Sequence, residues 1–383
     1  MNRGFVLAAA VLTSALVLVG CARDTGGTGG APAAGGEAGE CARNAAPAAA
    51  GGSAGTPAPV APNADASDLR VGLAFDVGGR GDLSFNDSAA AGLERAIGEL
   101  GLPQENTREV AAGINEGEDA AATRLRQLVA DGFDPVIAVG FNYASAVQTV
   151  ASENPDVRFA IVDDATVDLP NVTPLVFAEE QGSFLVGAAA ALKSQGCHIG
   201  FVGGVETPLI QKFQAGYEAG ARAVAPDIRI ETAYISPAGD FSGFNDPARA
   251  TVITTGQLDA GADVVYHAAG ASGTGVFSAV SSANTPDAPR WAIGVDADQY
   301  QTVEPPLNEI ILTSMLKQVD VAVFNYINAI AAGDTSVLPE AFDLSVGGVG
   351  YSTSGGFVDD ITDELDAYRA AIISGEITVP TTP

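Results

Sequence analysis

VGLAFDVGGRGDLSFNDSAAAGLERAIGEL, residues 71–100, sets an apolar strand pattern ahead of a helical one and joins them by a turn of glycines and acids. Strand, glycine turn and helix together are the repeating unit of a parallel sheet covered by helices. The unit recurs. Strands are expected at Leu69–Phe75, Pro135–Val139, Arg158–Val162, Val172–Phe177, His198–Val202, Ile228–Tyr234, Ala262–His267, Arg290–Val295 and Ile310–Leu312. Helices are expected at Ser88–Leu100, Asp119–Asp131, Ala144–Asn154, Gln181–Lys193, Leu209–Ala225, Pro247–Ala260, Thr274–Ala283, Met315–Ala332 and Thr362–Ser374. The alternation predicts an α/β protein of doubly wound parallel sheets, which bind ligands at the carboxyl ends of their strands. Those ends run into Asp76-Val77-Gly78-Gly79, Gly140-Phe141-Asn142-Tyr143, Gly203-Gly204, Ala269-Gly270 and Asp296-Ala297-Asp298. Brought together, they would line a cleft with glycine backbone, carboxylates and a few rings.

The length of 383 residues suits about two domains, and 47% hydrophobic residues can fill their cores. A net charge of −29 argues against nucleic acid and against an electrostatic hold on anionic lipid. Arg3, the apolar run Phe5–Val19 and Gly20-Cys21 form a secretory signal, with Leu18-Val19-Gly20-Cys21 matching a lipobox. Residues 1–20 are expected as the signal peptide and Cys21 as the lipidated first residue. Residues 21–68, rich in Ala, Gly and Pro, are expected as a flexible tether. Cys41 lies in that tether and Cys197 at the start of a strand pattern, in no metal-ligand spacing. Cys197 reads as a small buried hydrophobe, and no local feature pairs it with Cys41.

No Walker string or dinucleotide fingerprint is present, and Asp76, Asp82 and Asp87 in the opening turn would repel a phosphate. His198 and His267 sit inside apolar strand patterns, and no nucleophile with its base can be assembled. Asp163-Asp164 alone is a weak cation site, so neither metal nor cofactor is expected. The triplet Arg80-Gly81-Asp82 is too short to argue adhesion. A small polar ligand remains. Phe85 precedes the helix-starting Asn86-Asp87-Ser88, and Phe244 precedes Asp246-Pro247. Each ring can be a staple onto its helix or a platform for a flat ligand.

These residues carry a resemblance. Val71-Gly72-Leu73 leading into Asp76–Ser88 looks like the opening of the basic membrane protein family, nucleoside-binding lipoproteins of bacterial ABC importers. Glu179-Glu180 with Ser183–Gly187, Ile199–Gly204, Pro208-Leu209-Ile210, Phe213–Tyr217, Phe244–Ala248 and Gly294–Gln299 are similar to further family segments. The likeness spans residues 70–345, while the part from Gly347 onward is only loosely similar.

The resemblance implies a type I periplasmic-binding-protein fold, two α/β lobes joined by a hinge. One lobe is expected over 69–177 plus 297–340, the other over 178–296 plus 341–383. It also implies a nucleoside ligand, with purine favoured, an ABC permease as partner, and a monomer held on the outer face of the cell membrane by lipid on Cys21. It implies that Phe85 and Phe244 stack the base and that Asp76, Asn86 and Asp163 meet its polar groups or the sugar. Gly270, Asp296 and Lys317 would hold the ribose. The chemistry agrees with the last group, since a carboxylate accepts two bonds from a vicinal diol and a lysine donates to a sugar oxygen. Asp164 competes with Asp163, and Phe241 with Phe244. The alternatives to a nucleoside receptor are the same fold holding a sugar or a signalling molecule, and a cell-surface nucleoside hydrolase.

Overall fold

Val71–Phe75 (β1) is apolar throughout and buried along its whole length. Such a strand must have a neighbour on each side and helices on both faces. It lies between Thr107–Ala111 (β2) and Val136–Val139 (β3), parallel to both. Phe159–Val162 (β4) and Val172–Leu175 (β5) complete a five-stranded parallel sheet in the order β2-β1-β3-β4-β5. Phe85–Leu100 (α1), Glu118–Ala130 (α2) and Ala144–Glu153 (α3) connect its strands. The structure is a computed structural model that describes residues 41–48 and 62–383.

The second sheet takes His198–Val205 (β6), Arg229–Ser236 (β7), Val264–Ala268 (β8), Trp291–Asp296 (β9), Ile311–Lys317 (β10) and Val349–Tyr351 (β11) in the order β11-β10-β9-β8-β6-β7. All its pairs are parallel except that of β10 with β11. Its helices are Glu179–Lys193 (α4), Pro208–Val224 (α5), Pro247–Asp259 (α6), Gly273–Ala283 (α7), the short Gln299–Thr302 (α8) and Thr362–Ile373 (α10). Val319–Ala332 (α9) returns to pack on α1 of the first lobe. Gly220 lets α4 and α5 meet backbone to backbone, because a Cβ there would collide with the Phe184 carbonyl.

Among the described residues the chain passes between the sheets at 175–179, 317–319 and 333–348. These passages bond to one another: Ala178 N–H donates to Phe342 O, Phe342 N–H to Val176 O and Gln318 N–H to Gly348 O. The hinge therefore lies along the β5 edge of one sheet and the β10–β11 edge of the other. The opposite edges, β2 and β7, form the mouth.

Four expectations need correction. Residues 297–317 belong to the second lobe, because β10 pairs with β9 and β11. For the same reason Met315–Lys317 is strand, and the helix starts only at Val319. The tether expected over 21–68 is packed where it is described. Cys41 is disulfide-bonded to Cys197 and Asn44 N–H donates to Val224 O, on the second lobe. Ala66, fully buried, donates its N–H to Leu100 O, and Ala64 N–H donates to Asn328 Oδ1, on the first. Cys197 is thus half a disulfide rather than a free buried thiol. The signal peptide, Cys21 and the rest of the tether lie outside the described residues.

Candidate functional site

Between the lobes lies a cavity with an empty volume of about 550 Å³, a figure that includes the open solvent at its mouth. Asp76, Phe85, Asn86, Asp163, Phe244, Gly270, Asp296 and Lys317 all line it. The first four come from the strand ends and turns of the first lobe, the last four from those of the second.

The turn after β1 is organised by its own acids. Asp82, 3% exposed, accepts the backbone N–H groups of Ser84, Asn86 and Asp87 and so caps α1. Asp87 accepts from Gly81 and Leu83. Asn86 accepts the Asp76 N–H through Oδ1 and points Nδ2 at the Val77 carbonyl. Asp76 spends one carboxylate oxygen on the Val77 N–H. Burial pushes its carboxyl up to about 6, against that bond, and does the same to Asp82. Gly140 faces Asp76, and a Cβ there would collide with the carboxylate. Arg80 turns away to Glu94 and Glu109 while Asp82 turns inward, so the RGD triplet is not displayed as a unit.

The other wall is built on strand ends. Asp296 accepts a 2.7 Å bond from Ser84 Oγ across the cleft. Lys317, 1% exposed, ends β10 and donates to Asp163 at 2.6 Å, with Glu179 at 3.5 Å. Its ammonium lies 5.0–5.5 Å from the ring centroids of Phe85, Phe177 and Phe213. Burial works against its charge, but Asp163, Glu179 and Asp296 together hold its pKa above that of an ordinary lysine. Burial likewise raises Asp163 and Asp296, with Lys317 pulling both the other way. Asp163 and Asp296 both have left-handed backbone, φ 69° and 64°, a strained conformation for non-glycine residues.

Both open alternatives resolve geometrically. Asp163 lines the cavity, whereas Asp164 accepts from Thr166 N–H and Oγ. Phe244 lines the cavity with its ring over Gly204, where a Cβ would come within 2.5 Å of it. Phe241 instead packs on Phe141, ring centroids 6.0 Å apart. The strand end carrying Phe141 was expected in the cleft, though with no role for the ring, whereas Phe213, Leu209 and Ile210 in the lining were missed. Phe141 had a signal, an aromatic directly after a strand-end glycine. Phe213 had none beyond its place in a helical pattern. His267 is buried in the second lobe, bonded to Gln299 and pushed down to about 4 by burial, so it stays neutral.

Two sheets with helices, hinged at one edge and closing on a lined cavity, define a solute-binding protein. The chain belongs to the Bmp family, described as ABC transporter substrate-binding protein PnrA-like, whose model matches residues 70–383. Members of that family bind a solute and work with a permease. The chain is 32% identical over 330 residues to the ABC transporter nucleoside-binding protein BmpA of Lactococcus lactis, covering 82% of this chain and 90% of that one. It is equally identical to the CD4+ T-cell-stimulating antigen of Listeria monocytogenes, covering 83% and 90%. An ABC transporter solute-binding protein from Aeropyrum pernix superposes with a TM-score of 0.68 at 28% identity, over 82% of this chain and 93% of that one.

Proposed function

We propose that the protein captures a nucleoside, with purine favoured, between its lobes and delivers it to an ABC permease. The observation that carries this reading is one cavity lined by a ring from each lobe, Phe85 and Phe244, beside the buried pair Asp296 and Lys317. A planar base suits the rings, and base–aromatic stacking is worth about 1–3 kcal/mol per base. A ribose diol suits Asp296 and Lys317, because an analogue without the diol would leave the Asp296 oxygen not held by Ser84 without a donor. The relative named as nucleoside-binding supports the same class. Asp76, with one carboxylate oxygen that accepts no bond among the described residues, is an acceptor for a base N–H, and Asp163 holds Lys317 in place. The lipobox at Cys21 supports a lipid-anchored protein on the outer face of the cell membrane.

Calorimetric titration with guanosine, inosine, adenosine, cytidine and ribose tests this. Nucleosides are expected to bind and ribose alone is not. Binding of ribose without any nucleoside overturns the reading. For the anchor, globomycin should block processing at Cys21, and unaffected processing removes it.

A further inference from the structure

We propose that Asn115 and Phe241 are positioning residues that latch the mouth of the cleft and set how long a bound ligand is retained. Asn115 follows β2 and Asp240-Phe241 follow β7, so they lie at the two sheet edges farthest from the hinge. A contact there acts on the longest lever arm of the closing motion. Asn115 engages the other lobe through both ends of its amide: Nδ2 donates to Asp240 Oδ1 and Oδ1 accepts the Phe241 N–H, each at 2.9 Å. The Phe241 ring meets Phe141, itself part of the cavity wall, across the same gap. Asn115 holds a left-handed conformation, φ 50°, that aims its side chain outward from its own lobe.

Each half of the latch is braced toward the cavity. In the first lobe Glu116, next to Asn115, pairs with Arg124, and Arg124 donates to Tyr143 Oη. Tyr143 in turn donates to the Phe75 carbonyl beside Asp76, so one network runs from the neighbour of Asn115 to the turn that carries Phe141 and to the end of β1. In the second lobe a single short turn, Phe241–Phe244, carries the latch ring at its start and the cavity ring at its end. That turn is tied down by Ser272 Oγ donating to Gly243 O and by Ser236 Oγ donating to Asp240 O. A ligand stacked on Phe244 therefore steadies Phe241. This coupling rests on the proposed function; the latch itself does not.

The test is a reciprocal exchange. Asn115→Asp sets a carboxylate against Asp240, while Asn115→Asp with Asp240→Asn restores an acceptor for Phe241 N–H and a donor–acceptor pair. Two readouts are taken on the full chain. One is guanosine dissociation by stopped flow. The other is the interlobe distance distribution without ligand, from spin labels at exposed Gln148 and Val252. Asn115→Asp is expected to speed dissociation about tenfold with association little changed and to lengthen the distances. The double variant is expected to return both to within about twofold of the parent. Unchanged distances in Asn115→Asp, or a double variant as impaired as the single one, overturns the latch. If guanosine binds no variant and not the parent, the nucleoside reading fails and the distances alone decide the latch.

Discussion

At the hinge edge a fully buried ammonium, Lys317, is enclosed by Asp163, Glu179 and three rings. At the mouth edge an exposed amide, Asn115, meets one carboxylate and one backbone N–H, and Phe141 and Phe241 form a ring pair. Both join the lobes, but buried charge is strongly interdependent, whereas solvent-exposed bonds exchange readily with water. A cleft that must open needs the durable contact where the lobes pivot and the exchangeable one where they part.

The strongest way to break this contrast is Lys317→Met. It strands Asp163 without its counter-charge and leaves Glu179 with Lys212 alone, so urea unfolding should show a loss of about 3–5 kcal/mol. A loss below about 1 kcal/mol would mean that the hinge cluster is not interdependent. Between the edges, Phe244→Ala should weaken nucleoside binding by about 10- to 100-fold in calorimetry while leaving the melting curve of the unliganded protein nearly in place. Unchanged affinity would remove the ring from the stack.

A pH series sharpens the contrast further. Asp76 and Asp82 have folded-state pKa values raised to about 6, above the usual 3.8, chiefly by burial. Between those values the folded state holds more protons than the unfolded one, so stability rises as pH falls from 7 to 5. The expected gain is about 1 kcal/mol for each carboxyl. Asp76→Asn should remove its share, measured as the difference between parent and variant unfolding at pH 5 and 7. An identical rise in both would place Asp76 in solvent. The smallest stability effect is expected at the mouth, where Asn115→Ala should cost less than about 1 kcal/mol. A loss matching that of Lys317→Met would erase the distinction between the edges.

The two-sheet architecture was legible because parallel strands buried on both faces are continuous apolar runs, as at Val71–Phe75 and Val136–Val139. Where burial was partial the signal failed. The edge strand Thr107–Ala111 alternates weakly with exposed Arg108 and Glu109, and Val349–Tyr351 is three residues held by pairing to β10. Met315-Leu316-Lys317 suits a helix by local preference and is strand only because β9 and β11 flank it. In the site, the residues at strand ends could be picked out, and family resemblance drew them together. Asp82 as a helix cap and Phe241 as a rim ring depended on turn geometry. The Cys41–Cys197 bond, between partners 156 residues apart, had no local trace.

That bond also settles where mechanical load would enter the molecule. For a chain held by lipid at Cys21, the first fixed point is Cys41 on the second lobe, within at most about 70 Å of contour. Measured to the first strand instead, the leash would be at most about 170 Å. Arg43 and Asn44 bond to the same lobe beside it, so the second lobe becomes the moored body and the first the moving arm.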